Sequence, residues 1–197
     1  MQGTAPHNFS IQAFNRATTD QATAMMDRIV ERSAWLARRA AEARPFGTAE
    51  ELAAWIDTEV RSLTKDEALQ LLCAHPELSP PDPSTMSRAS QTEQGRLRLL
   101  DLDQETATAL AGLNRRYTRR HGYPLIVALH EHAEFGSVLD QFDLRISADP
   151  DEELKRSLGQ VVSVMKARLS RLTDNSSKPR EALQAEVAGA NVGGSTR

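Results

Sequence analysis

The chain has 197 residues, enough for one domain with a sizeable core. Its 24 basic and 27 acidic residues give a formal charge of −3, which argues against a nucleic-acid binder held by a basic surface. The single cysteine, Cys73, excludes an internal disulfide framework and a multi-cysteine zinc site. There is no apolar run near the roughly 20 residues of a membrane span. The start, Met1 to His7, lacks the basic and apolar regions of a signal peptide. A soluble cytoplasmic protein is the expectation.

In chain order, residues 1–8 read as a short flexible start and residues 9–174 as one helical domain. Met25, Met26, Ile29, Ala34, Trp35, Leu36 and Ala40 recur at helical spacing. So do Leu52, Ala53, Ile56, Val60 and Leu63. Thr48…Glu51, Thr64…Glu67 and Asp149…Glu152 carry the capping-box pattern that marks helix starts. A helix is predicted over about 104–120, with Leu110, Leu113, Asn114 and Tyr117 on one side. Another is predicted over about 149–172, where Leu154, Leu158, Val161, Val162, Met165 and Leu169 repeat at three and four residues. Only 124–129 looks extended, and one candidate strand builds no sheet, so the fold class is all-α. From 175 to 197 the chain is polar and small, and a disordered tail is expected. Between the helices, residues 75–84 hold four prolines, at 76, 80, 81 and 83. Proline fixes φ and restricts the residue before it, so this stretch is a stiff loop rather than more helix.

Three residues stand out as candidates for chemistry. His75 sits where a helix runs into the proline loop. It either meets the negative end of that helix or acts as a general acid or base near neutral pH. Glu93 follows Ser90 by three, so it either completes a capping box or joins Ser90 at an anion-friendly helix start. Arg145 closes a helix containing Phe135, Val138, Leu139 and Phe142. It is either a helix-dipole partner or a bidentate clamp for a carboxylate or ureido oxygen. Arg115–Arg120 reads first as a solvated basic face and second as a nucleic-acid patch. His130-Glu131-His132 is a weak metal signal. Cys73, in the run Leu71-Leu72-Cys73-Ala74, reads as a buried inert thiol.

The ordered motifs resemble one family. Phe14-Asn15 opens it, and Trp35 with Ala43-Arg44-Pro45-Phe46 resembles a "W…ARPF" segment. His75-Pro76-Glu77-Leu78 is similar to HPxL, and Ser90-Gln91-Thr92-Glu93-Gln94 to SxxEQ. Leu113-Asn114-Arg115-Arg116-Tyr117 followed by His121 to Val127 resembles LNxxY…FGFPFIV. Leu144-Arg145 and Ala167-Arg168-Leu169 complete the series. Together they resemble the 2-oxo-4-hydroxy-4-carboxy-5-ureidoimidazoline (OHCU) decarboxylases of urate breakdown. The resemblance implies an all-α domain, usually a homodimer, without metal or organic cofactor, that takes a small ureidoimidazoline and forms (S)-allantoin. It implies His75 and Glu93 as catalytic residues. It further implies substrate binding by Pro76, Ser90, Gln94, Arg145 and the backbone of Leu125, Ile126, Val127 and Ala128.

The chain departs from the family pattern around these residues, with Ser79-Pro80-Pro81 after HPxL and Tyr123-Pro124-Leu125 in place of FPF. Kept catalytic residues in an altered pocket fit a changed substrate, so an N-methylated OHCU from methylxanthine breakdown stands beside the plain compound. A non-catalytic helical binding module that kept the fold is the reading from another class.

Overall fold

The computed structural model describes residues 9–177. Nine α-helices and no strand occur among them: α1 (Ile11–Arg16), α2 (Thr19–Met26), α3 (Ala34–Glu42), α4 (Ala49–Arg61), α5 (Lys65–Cys73), α6 (Arg88–Arg96), α7 (Gln104–His121), α8 (Phe135–Ile146) and α9 (Pro150–Ser177). The expected start at 1–8 and nearly all of the expected tail at 175–197 lie outside the described residues. The helix α9 runs on to Ser177, a few residues beyond its predicted end.

The caps follow from side chains. Thr64 accepts from the Glu67 amide while Glu67 accepts from the Thr64 amide, a complete capping box. Thr48 caps α4, but Glu51 reaches instead to the Gly47 amide at 2.6 Å. Asp149 caps α9 through the amides of Asp151 and Glu152. Gly122 ends α7 at φ +86°, a left-handed cap that glycine adopts without steric cost. The chain then runs through 124–128 in neither helix nor strand, so the stretch expected to be extended pairs with nothing. The apolar stripe from Met25 to Ala40 is not one helix. It breaks after Met26 into a turn over 27–33, and that turn carries Glu31.

The long α9 is the central post of the bundle, packed against α4, α5 and α7. Its buried face is Glu153, Ser157, Leu158, Val161, Val162, Val164, Met165, Arg168 and Leu169. Apolar spacing of three and four explains most of it. The exceptions, Glu153, Ser157 and Arg168, are polar groups that must find partners in the interior. Phe9, Phe14, Phe46 and Trp55 form a run of ring contacts, with Phe14 stacked on Phe46 and Trp55 edge-on to Phe46. Asn15 donates to the Phe46 carbonyl at 2.7 Å and accepts from its amide at 3.0 Å, which joins the chain's opening to the segment after α3. No described helix is long and apolar enough to cross a membrane.

Candidate active site

A cleft opens where the proline loop, α6, the 125–129 segment and α9 meet. His75, Pro76, Leu78, Ser90, Glu93, Gln94, Leu125, Ile126, Val127, Leu129, Val164 and Arg168 line it.

His75 follows the end of α5, and its Nδ1 lies 2.9 Å from the Leu71 carbonyl. A carbonyl only accepts, so Nδ1 carries the proton and Nε2 of the neutral ring keeps its lone pair. Burial lowers the proton affinity of the ring below its ordinary value, and Arg168 adds to that. The Leu71 carbonyl, Glu31 and Glu93 act in the opposite direction without cancelling it. The helix-end reading and the acid–base reading of His75 therefore coexist: the helix terminus fixes the tautomer that a base needs.

Glu93 is not part of a capping box. The N-cap of α6 is Ser87, whose hydroxyl accepts from the Ser90 amide at 3.2 Å, so Ser90 and Glu93 lie within the helix. Three residues apart, they share a face. Glu93 receives the Arg168 guanidinium as a fork, Nε to Oε1 at 2.9 Å and Nη2 to Oε2 at 2.7 Å. Arg171 adds a bond to Oε1 at 3.0 Å. Arg168 is 5% exposed, and its Nη1 reaches Glu31 at 2.9 Å.

The proline loop is clamped from two helices. Gln94 donates to the Glu77 carbonyl at 2.9 Å and accepts from the Ser79 amide at 2.7 Å. Asn114 donates to the Leu78 carbonyl at 2.8 Å. These bonds hold Ser79 at φ +50°, a conformation non-glycine residues adopt rarely and at some cost. Gln94 thus lines the cleft with its amide committed to the loop. Across the cleft, the amides of Leu125, Ile126 and Val127 have no acceptor among the described residues.

Arg145 and Ala128 lie elsewhere. Arg145 is 1% exposed and does not line the cleft. Its Nε bonds Glu153 at 2.7 Å, its Nη2 bonds Ser157 at 3.0 Å, and its Nη1 bonds the Ile126 carbonyl at 2.8 Å. Arg145, expected as a substrate clamp, thus holds the Ile126 carbonyl from behind the cleft and does not line it. The Ala128 amide is taken by Gln160 at 2.7 Å. The arginine that faces the cleft is Arg168.

A model of the OHCU decarboxylase family matches residues 15–170. The chain belongs to this family. The 2-oxo-4-hydroxy-4-carboxy-5-ureidoimidazoline decarboxylase of Haloferax volcanii is 28% identical over 164 residues, which is 83% of this chain and 96% of the relative. The mouse protein of the same name is 29% identical over 146 residues, 73% of this chain and 82% of the relative. Among solved structures, a crystal structure of (S)-allantoin synthase matches at TM-score 0.61 and 26% identity over 82% of this chain. The match spans about half of that longer chain, 53%. A crystal structure of OHCU decarboxylase in the presence of (S)-allantoin matches at TM-score 0.61 and 18% identity, over 76% of this chain and 97% of the other, and speaks for the fold.

For an OHCU decarboxylase-family member, the cleft has the chemistry a carboxylated, carbonyl-rich ligand needs: a neutral imidazole, a guanidinium and free amides. The remaining sequence signals lie outside it. Arg115, Arg116, Arg119 and Arg120 form an exposed face of α7, while Tyr117 between them points into the core. His130 and Glu131 sit in a short 3₁₀ turn, where Ser163 meets both side chains. No group of three or more metal-ligating side chains occurs among the described residues. Cys73 is exposed, not buried, because it lies on the outer side of the last turn of α5, with its Sγ 3.5 Å from the Gly122 carbonyl.

Proposed function

We propose that this protein decarboxylates OHCU to (S)-allantoin, with His75 and Glu93 as the catalytic pair and Arg168 as the substrate-binding cation. The observation that carries the reading is the meeting of three groups in one cleft: His75, held by the Leu71 carbonyl with Nε2 free, and the forked Glu93–Arg168 pair.

OHCU bears its carboxylate on a carbon that also carries a hydroxyl, beside ring carbonyl and imine-like groups. Losing CO2 breaks one C–C bond. The electron pair passes into the neighbouring C=N unit, and the hydroxyl gives up its proton as its carbon becomes a ring carbonyl. A proton is delivered to the adjacent ureido-bearing carbon, which becomes the stereocentre of allantoin. His75 handles the proton of the hydroxyl or of that carbon, and its lowered proton affinity keeps it available as a base at neutral pH. Glu93 holds the ureido or hydroxyl group and orients Arg168. Arg168 and the unpaired amides of 125–127 bind the oxygens on which charge collects. Pro76 and Ser90 shape the wall beside them. The homodimer implied by the family resemblance, and the cytoplasmic location expected from the composition, belong to the same proposal.

A second reading concerns the substrate. Leu78, Leu125, Ile126, Val127, Leu129 and Val164 make much of the cleft wall apolar. Such a wall accepts methyl groups in place of N–H donors, so an N-methylated OHCU is the alternative.

The test is freshly generated OHCU and its trimethyl analogue, with product handedness followed by circular dichroism. Faster, one-handed product from the wild-type chain is expected, and His75→Ala or Glu93→Ala should abolish the gain. Near-full rate in either variant would reject the role given to that residue. A response to the trimethyl compound alone would select the second reading.

A further inference from the structure

Glu31 lies in the turn between α2 and α3, outside every motif that carries the family resemblance, and only 2% of it is exposed. Its Oε2 accepts from Arg168 Nη1, Ser87 Oγ and Ser90 Oγ, each at 2.9 Å. Its Oε1 is buried with no hydrogen-bond partner among the described residues. A carboxylate at this depth is costly to charge unless its neighbours compensate. Burial works to raise its proton affinity, but Arg168, Ser87 and Ser90 outweigh that and hold the group below the ordinary carboxylate range. A charged carboxylate with an unpaired buried oxygen adds little to the core that an apolar residue would not supply. Its position against the cleft arginine accounts for it better.

The guanidinium of Arg168 is gripped on two edges. Nε and Nη2 bind Glu93, and Nη1 binds Glu31. One carboxylate alone leaves the plane free to swing about the Arg168 side chain. Two carboxylates and the Ser90 hydroxyl, 3.3 Å from Nη2, fix it. The charged groups that face His75 are Glu31 from this turn, Glu93 from α6 and Arg168 from α9, with Arg171 bound to Glu93 behind them.

We propose that Glu31 is a positioning residue of the decarboxylation, fixing the plane of the Arg168 guanidinium and holding a negative charge behind the His75–Arg168 pair. The role rests on the function proposed above. Glu31 need not touch substrate: it acts on where Arg168 stands and on how readily His75 takes a proton.

The test compares wild type, Glu31→Gln and Glu31→Asp on fresh OHCU. In Glu31→Gln, kcat is expected to fall about tenfold or more as the guanidinium loses its alignment. KM should change less. The acid limb of the rate profile should move to lower pH, because the negative charge that favoured protonated His75 is gone. In Glu31→Asp the charge remains on a shorter arm, so the acid limb stays near its wild-type position while kcat stays partly reduced. Wild-type kcat, KM and acid limb in Glu31→Gln would overturn the proposal, as would a variant changed only in melting temperature. If Glu31→Gln does not fold, wild-type kcat and KM in Glu31→Asp would overturn it. A separate measurement, the NMR titration of the His75 ring, needs no turnover and so separates this inference from the function. A lower midpoint in Glu31→Gln supports the coupling even if wild type proves inactive on OHCU, and an unmoved midpoint overturns it.

Discussion

Two buried arginines sit at opposite ends of one stretch of α9. Arg145 meets Glu153 near its start, and Arg168 lies 15 residues further on, about 22 Å along the axis. Arg145 is 1% exposed and Arg168 5%. Both pair with carboxylates, and both touch a serine hydroxyl. Their surroundings differ. Around Arg145 the partners are Glu153, Ser157 and the Ile126 carbonyl, with Tyr117 on the same glutamate, and none of these side chains lines the cleft. Around Arg168 two of the partners, Ser90 and Glu93, face the cleft with His75. Burial and pairing alone do not mark a functional arginine. The proposed role of Arg168 rests instead on its ion-pair cluster opening on a cavity that also holds a titratable group.

The contrast is broken most directly by removing the two arginines and asking which quantity falls. Arg145→Ala leaves Glu153 buried with its main counter-charge gone, since Arg156 reaches only its other oxygen from a half-exposed position. Breaking a buried pair in this way costs about 3–5 kcal/mol of stability. Chemical denaturation should show that loss, while kcat per folded molecule stays within a few-fold of wild type. Arg168→Lys keeps a charge but removes the fork on Glu93. Its kcat/KM should fall about 100-fold, equal to roughly 2.7 kcal/mol of transition-state binding. Denaturation should change far less than in Arg145→Ala. The opposite outcome, activity lost with Arg145 and kept with Arg168, would return Arg145 to the site and leave Arg168 as a core ion pair.

Much of the fold was legible because it rests on local rules. The periods of α7 and α9, the caps at Thr48, Thr64 and Asp149, and the breaking power of four prolines all act within a few residues. The choice between the arginines was not local. Arg145 follows Phe142 by three and Val138 by seven, on the buried face of α8. Arg168 follows Met165 by three and Val161 by seven, on the buried face of α9. Each is a charge set in an apolar stripe, which signals a buried partner without saying which one. The sequence also offered Ser90…Glu93 as a capping box, and only the position of Ser87 at the true N-cap released Glu93. Glu31 had no signal at all, because it lies in a turn between helices and its partners are more than 50 residues away. Cys73 was misjudged because the composition of a run does not say which side of a helix turns outward.

The smallest expected effect sharpens the contrast most. Tyr117 donates to Glu153 Oε1 at 2.5 Å, and its hydroxyl lies 3.3 Å from Ser157. Burial first, and the glutamate with it, push the phenol well above its ordinary proton affinity, so it is a donor throughout the working pH range. Tyr117→Phe removes that one bond and leaves Glu153 with Arg145, Arg156 and Ser157. No charge is stranded, so the cost should be that of one hydrogen bond to a charged group, about 1.5–3 kcal/mol by denaturation. Because Tyr117 touches Glu153 and not the cleft, kcat and KM should both stay near wild type. A stability loss without a kinetic one would establish that the Arg145 cluster acts as a brace, even when perturbed too gently to disturb the Ile126 carbonyl. A fall in kcat comparable to that of Arg168→Lys would mean that the two clusters are coupled through α9, and that the cleft extends functionally into the core behind it.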